Sequence, residues 1–256
     1  MAAHTDSPCL RVKPISKRRS KEGFLQVAVE TYGGGLWHTW FDRDLGVAGR
    51  LVIKEEDALV ERLVHVKRPI LRVPTLAIHL DRCVNSEGFR FNTELQLTPI
   101  LATEAAESKS SEWVHAVKNE GDFPMHSSLI TALKGEIKAE VGDIVALDLC
   151  LYDVQKAALG GVHEEFIHSA RLDNLFMSFC GLSALVEATT DVQLVRKDEH
   201  ISMLVLFDNE EVGSQSAAGA ESTLVSSTLS RILNALNCQV AFFILFHHYQ
   251  LVLGCV

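Results

Sequence analysis

A short apolar segment that ends in acidic residues places the strongest constraint on how this chain folds. Residues 200–208 read HISMLVLFD, and an uninterrupted apolar run of this length is typical of a strand buried on both faces of a parallel sheet. Helical patterns flank it at 171–188 and 213–236. Because parallel strands need helical crossovers, the sequence predicts an α/β fold with a parallel sheet covered by helices.

The chain before this region has a different pattern. Alternating apolar and polar residues predict strands at 24–32, 47–55, 62–73 and 75–82, and the polar stretch 103–124 predicts an exposed loop. Residues 125–137 have helical spacing, and DIVALDLCLYD at 143–153 predicts a further strand. We therefore expect a β-rich region from about 12 to 148 and an α/β region from 149 to 238, with residues 239–256 as a divergent apolar tail.

Composition excludes several classes of protein. A net charge of -9 argues against a nucleic-acid-binding protein. The six scattered cysteines form no C-x-x-C pair and predict a reduced, cytoplasmic protein. The uncharged segment 240–256 contains a polar HHYQ, which disfavours a membrane anchor, and a strand or a segment outside the fold stays open. The basic run at 11–21 is read as a solvated loop rather than a localisation signal or phosphate site.

Carboxylates gather where the predicted parallel strand ends. Asp208, Glu210 and Glu211 follow that strand, and Asp173 begins the helix at 171–188. Such acids repel one another unless a lysine or a divalent metal ion neutralises them. The simpler alternatives are that Asp173 caps a helix and that Asp208 forms a turn.

A histidine near the amino end is the other candidate ligand. His4 precedes Asp6 in a His-x-Asp pattern, in which the acid orients the imidazole for a metal. One histidine with several carboxylates suits zinc, cobalt or manganese. Against this, we expect His4 to lack a fixed position, because almost nothing precedes it.

Long segments of the sequence resemble one known family. These are AHTDSPCLRVKP, ETYGGGLWHTWFDRDLGVAGR, RPILRVPTLAIHLDR, RLDNL and DNEEVGSQSAAGA. In order, from about residue 2 to 237, they are similar to the aspartyl aminopeptidases, which are dinuclear zinc metallopeptidases that remove N-terminal aspartate or glutamate from peptides. The resemblance implies a parallel-sheet metallopeptidase domain, beginning at residues 1–11 and resuming at 149–238, with an inserted β-rich dimerisation domain at 12–148.

The resemblance also implies a role for each candidate residue. His4, Asp173 and Glu211 bind two Zn²⁺ ions, which Co²⁺ or Mn²⁺ can replace, with Asp173 bridging them. Glu210 is the general base, and Asp6 orients His4. His79 reaches into the active site of a neighbouring subunit, in a homo-oligomer that ranges from dimer to dodecamer.

The chain also departs from the family pattern. The family supplies a further Asp from a SADMAH-type segment and a further His from an AIHS-type segment, and neither occurs here in that context. We therefore expect a truncated, impaired peptidase with an incomplete sheet and exposed apolar surface. The alternative is an inactive chain that joins the assemblies of full-length subunits.

Overall fold

The structure is a computed structural model that describes residues 1–19, 22–110, 125–137, 144–198 and 200–236. Its strands are β1 (Ala2–His4), β2 (Cys9–Val12), β3 (Arg18–Arg19), β4 (Phe24–Gln26), β5 (Val29–Tyr32), β6 (Leu45–Glu55), β7 (Ala58–Leu71), β8 (Ile100–Thr103), β9 (Ile144–Asp153), β10 (Ala158–Gly160), β11 (Phe166–His168) and β12 (Val205–Phe207). Its α-helices are α1 (Val84–Glu87), α2 (Glu104–Ser110), α3 (Ser127–Lys134), α4 (Leu172–Ala188), α5 (Val192–Lys197) and α6 (Leu224–Ala235). Short 3₁₀ helices span Trp37–Trp40 and Glu210–Val212.

The chain forms two compact units. One, here called the terminal unit, combines Met1–Ser7 with Ser169–Val256, and the other, the central unit, is Pro8–His168. The divisions fall after Ser7 and after His168, whereas the sequence placed them after residues 11 and 148. The roles assigned to the domains stay predictions.

The central unit is built on a five-stranded antiparallel sheet. Its strand order is β5-β2-β9-β6-β7, and β3, β4 and β8 form a second sheet. Strands β6 and β9 pair from Leu45↔Asp153 to Ile53↔Ile144. One face of the large sheet is apolar and fully buried, and it packs on α3 to form the core: Leu10, Leu45, Val47, Leu51, Ile53, Leu129, Leu133, Leu149 and Leu151.

Three local predictions for this unit are corrected. Residues 75–82 form turns rather than a strand, because Leu76, Ile78 and Leu80 are exposed and have no buried sheet face to occupy. The polar stretch from residue 103 contains α2, and residues 111–124 lie outside the described residues. Strand β9 lies wholly in the antiparallel sheet, because its partners are β2 and β6, whereas the predicted boundary after residue 148 divided it.

The terminal unit contains the predicted parallel pairing. Strand β1 runs parallel to β12 with the register Ala2↔Val205, Ala3↔Leu206 and His4↔Phe207. The amino group of Met1 donates to the Met203 carbonyl oxygen at 3.1 Å and extends this contact. Strand β12 is shorter than the apolar run that predicted it, and α4 packs against β1.

Much of the apolar surface of the terminal unit is exposed. Along α4, Phe176, Phe179 and Leu182 are exposed, and only Ser178 and Gly181 are buried among its described residues. The predicted exposed apolar surface is therefore present. The apolar tail from residue 239 lies outside the described residues, and within the described ranges no helix has both the length and the apolar character that crossing a bilayer demands.

Candidate metal centre

His4, the last residue of β1, is held by contacts with two other elements. The Thr5 backbone N–H donates to the Phe207 carbonyl oxygen at 2.9 Å. From α4, the Ser178 hydroxyl donates to the His4 carbonyl oxygen at 2.8 Å. His4 is only 8% exposed. The expectation that His4 lacks a fixed position is therefore wrong, because β12 and α4 fix it. Sequence reasoning missed the part played by Ser178, for which a polar residue on an apolar helix was the available signal.

The Asp6 carboxylate connects His4 to the acidic loop after β12. Its Oδ1 lies 3.3 Å from His4 Nδ1, which also hydrogen-bonds the Asp6 backbone carbonyl oxygen at 3.1 Å, and the Asp6 side chain is 7% exposed. The same carboxylate accepts hydrogen bonds from the backbone N–H groups of Glu210, at 3.2 Å, and of Glu211, at 3.1 Å. The sequence predicted the contact with His4. The sequence contains no signal for the contacts of Asp6 with the Glu210 and Glu211 backbone, because these depend on where the loop after β12 lies in the fold.

The other ring nitrogen of His4 faces the acidic side chains. His4 Nε2 lies 3.6 Å from Asp173 Oδ1 and 3.7 Å from Glu210 Oε2. Single ligand atoms of His4, Glu210 and Glu211 all lie within 4.8 Å of one another. Among the described residues, the group with metal-binding spacing is therefore His4, Glu210 and Glu211, and Asp173 lies beside His4 without being part of that group. The division of those roles between Glu210 and Glu211 stays a prediction.

Asp173 approaches this cluster from the start of α4. Its backbone is extended rather than helical, with φ −84° and ψ 115°, and its side chain is 87% exposed. The helix has Arg171 at its N-cap position and no side-chain cap hydrogen bond. An extended backbone is also what an N-cap residue adopts, so the helix-cap alternative for Asp173 stays a prediction. Beside it, Asn174 Oδ1 is buried and has no hydrogen-bond partner within the described part of the chain.

Asp208 has a structural role instead. Its carboxylate accepts a hydrogen bond from the Asn209 backbone N–H at 2.8 Å. Asn209 takes the left-handed conformation with φ 61°, which Asn tolerates better than most residues. The turn alternative is therefore correct for Asp208, and the turn directs Glu210 and Glu211 toward His4.

Electrostatic repulsion within the cluster acts most clearly on Glu211. Burial raises the pKa of the Glu211 carboxyl, and the negative charges of Glu210, Asp6 and Asp173 raise it further. His4 acts in the opposite direction. A cation among these oxygens would remove the repulsion, because an opposite charge within a few ångströms favours the ionised carboxylate.

The donor set fits a divalent transition metal. One imidazole nitrogen and several carboxylate oxygens are ligands that zinc takes in catalytic sites, and cobalt and manganese accept the same donors. His4 meets the geometric requirement as well, because its Nδ1 contacts Asp6 while its Nε2 faces the acids. A carboxylate behind a metal-binding imidazole fixes the ring and raises its basicity.

His79 is not part of this cluster. It lies in an exposed turn of the central unit, whereas the clustered residues all belong to the terminal unit. Its predicted role at a neighbouring active site stays a prediction.

Comparison with known proteins identifies the family. The sequence model of the Aminopeptidase I zinc metalloprotease family (M18) matches residues 1–248, past residue 237, where the sequence analysis placed the end of the resemblance. The chain is 44% identical over 257 residues to a probable aspartyl aminopeptidase of Ricinus communis, covering 93% of this chain and 52% of that protein. It is 46% identical over 245 residues to the aspartyl aminopeptidase of Dictyostelium discoideum, covering 90% of this chain and 50% of that protein.

Solved structures agree with these sequence matches. A cryo-EM structure of the Ape4 and Nbr1 complex superposes with a TM-score of 0.83 at 45% identity, covering 91% of this chain and 44% of the other. A Chaetomium thermophilum mApe1 structure gives a TM-score of 0.78 at 32% identity, covering 91% of this chain and 50% of the other. The chain spans about half the length of the curated relatives it matches. The family match, the sequence identities and the structural superpositions together show that this chain belongs to the M18 family of zinc aminopeptidases.

Proposed function

We propose that this chain supplies the metal-holding and proton-transferring residues of an aminopeptidase that removes N-terminal aspartate or glutamate from peptides. The observation that carries the proposal is the approach of Asp173, Glu210 and Glu211 to the single imidazole of His4. The names of the relatives, aspartyl aminopeptidases, support the acidic specificity.

His4, Asp173 and Glu211 would hold the metal in this proposal. The family resemblance implies two zinc ions per site, and Co²⁺ or Mn²⁺ would suit the same oxygen-rich donors. Bound zinc would supply an acidified water and a polarised peptide carbonyl. Asp6 positions the His4 imidazole and, through the Glu210 and Glu211 amides, the acidic loop.

Glu210 carries the proton in this proposal. Its side chain is 44% exposed, and its backbone N–H is fixed by Asp6. A carboxylate so placed can take a proton from the attacking water and give it to the departing amine. Glu211 is its neighbour in the same 3₁₀ turn, so one acid holds metal while the other moves the proton.

The proposal is tested by assaying the purified chain on a peptide with N-terminal aspartate in the presence of Zn²⁺ or Co²⁺. Turnover that Glu210→Gln abolishes would support the assignment. The matched control is Glu187→Gln on the exposed side of α4, which should leave the rate unchanged. Turnover that survives Glu210→Gln would contradict the proposed base.

A second candidate is a non-catalytic partner in a homo-oligomer. It is favoured by the contrast between the closed apolar core of the central unit and the exposed α4 of the terminal unit, with Phe176 and Phe179 uncovered. A related S. cerevisiae mApe1 forms a dodecamer, which makes joint assembly a reasonable proposal here. Co-purification with a complete subunit, together with no intrinsic turnover, would favour this function over the first.

A further inference from the structure

Two cysteines of the central unit are neighbours on the outer face of its five-stranded sheet. The β2–β9 register sets Arg11 opposite Cys150, and Cys9 precedes Arg11 by two positions, so both cysteines share one face. The alternate residues Leu10 and Leu149 are buried on the core face. Cys9 and Cys150 therefore form a diagonal cross-strand pair, and their side chains are hydrogen-bonded. Both are free thiols of intermediate exposure, which leaves them accessible to small solutes.

Charged side chains surround the pair on the same face. Arg11 donates to Asp148 Oδ1 at 2.6 Å, and Arg50 Nε lies 3.7 Å from Asp148 Oδ2. Arg11 also hydrogen-bonds Cys150. The register places Glu30 opposite Arg11 on the far side of β2, where it is exposed. Arg50 also pairs with Glu61 at 3.3 Å, so the charges that act on Cys150 are Arg11, which favours the thiolate, and Asp148, which disfavours it.

The two thiols differ in acidity. The hydrogen bond from Cys9 lowers the pKa of Cys150 to about 7, the positive charge of Arg11 acts in the same direction, and burial and Asp148 oppose it. The hydrogen bond with Cys150, together with burial, raises the pKa of Cys9. Because Arg11 lies directly opposite Cys150 in the register, we assign Cys150 as the nucleophile of the pair and Cys9 as the thiol that resolves it.

We propose that Cys150 and Cys9 form a reversible, peroxide-oxidised pair in which Cys150 reacts first and Cys9 closes a disulfide between β2 and β9. The Cys150 sulfur attacks one oxygen of hydrogen peroxide. The O–O bond breaks, and Cys150 becomes a sulfenic acid as hydroxide leaves and is protonated to water. The Cys9 sulfur then attacks the sulfenic sulfur and loses its proton to the departing hydroxyl, which leaves as a second water. Two thiols together lose two electrons, and one peroxide gains them.

The asymmetry of the pair sets the expected rate. With a pKa of about 7 instead of about 8.5, the thiolate fraction at pH 7 rises from roughly 3% to roughly 50%. Lower basicity reduces nucleophilicity by about 5-fold over that range, so the net gain is about 3-fold over an ordinary thiol of equal accessibility. Asp148→Asn should increase this gain, because it removes the negative charge that disfavours the thiolate.

The test treats the full chain with hydrogen peroxide near pH 7, blocks remaining thiols with an alkylating reagent, and maps unreduced peptides by mass spectrometry. We expect a Cys9–Cys150 linked peptide that dithiothreitol reverses, while the exposed Cys83 stays alkylatable. Cys9→Ser should halt the reaction at a Cys150 sulfenic acid captured by dimedone, and Cys150→Ser should leave Cys9 unoxidised. The matched control Cys83→Ser should form the link at the wild-type rate.

Two results would overturn the proposal. One is oxidation of Cys9 in Cys150→Ser at the wild-type rate, and the other is a wild-type chain that accumulates sulfenic acid without a link to Cys9. Neither outcome depends on peptidase activity, so this test is independent of the proposed function.

Discussion

Replacing Asp6 with asparagine tests how the metal centre is assembled. Its buried carboxylate accepts two backbone N–H groups and contacts His4 Nδ1. Asparagine keeps the shape but turns one acceptor into a donor, so one loop N–H loses its partner. An unsatisfied buried group costs about 1–3 kcal/mol, and the loss of a carboxylate behind a metal-binding histidine lowers metal affinity about 10–100-fold.

The assay has two readouts. Zinc affinity is measured by competition with a chromophoric chelator, and amide hydrogen exchange is followed in the peptide that contains Glu210 and Glu211. Asp6→Asn should weaken zinc binding by about 10–100-fold and speed exchange at these amides. The matched control is Asp191→Asn, because Asp191 also accepts two backbone N–H groups but does so at the exposed start of α5, where Asn caps equally well. Wild-type zinc affinity and unchanged exchange in Asp6→Asn would refute the positioning role.

Two further predictions concern the central unit. Gly49→Ala should destabilise the central unit by about 3 kcal/mol or more in urea unfolding, because the φ of Gly49 is +154° and the added Cβ would meet the β9 backbone at Asp148. The control Gly34→Ala should change stability little, because the space around Gly34 is open. For Glu107, burial raises the pKa but donation from the Ser127 and Ser128 hydroxyls outweighs it, so the folded-state pKa is lowered. The ionised Glu107 carboxylate therefore stabilises the folded state at pH values above its unfolded-state pKa, and this contribution is lost as the pH falls through its folded-state pKa. Glu107→Gln should remove this contribution to the acid-induced loss of stability. An unchanged dependence of stability on pH in Glu107→Gln would contradict this.

The sequence predicted the strand that ends at the metal centre for a physical reason. A continuous apolar run followed by acids leaves few alternatives to a buried strand end, and β12 with the Glu210–Val212 turn forms there. The role of Asp208 was left open, because a turn former and a ligand have the same sequence signature. Its hydrogen bond to Asn209 decides that question.

Pairing partners were harder to predict than elements. Strand β9 has an alternating pattern that is the same in any antiparallel or mixed sheet, so its membership of the central unit was not readable from its residues. The segment at 75–82 has the alternating pattern of a strand, but no helix or sheet among the described residues packs on its apolar side chains, and Leu76 and Leu80 remain exposed. The contacts of Asp6 with the loop after β12 join residues at opposite ends of the sequence, and no local pattern specifies them.

Locating a divalent cation is the most direct test of the account. Crystals of the chain that are soaked in zinc and measured at the zinc absorption edge should show an anomalous peak about 2.0–2.1 Å from His4 Nε2 and in contact with Asp173 or Glu211. The peak should vanish in His4→Ala and persist in His200→Ala, which removes an exposed imidazole of the same unit. A zinc-saturated crystal with no peak beside His4, or a peak that His4→Ala leaves in place, would contradict the metal centre proposed here.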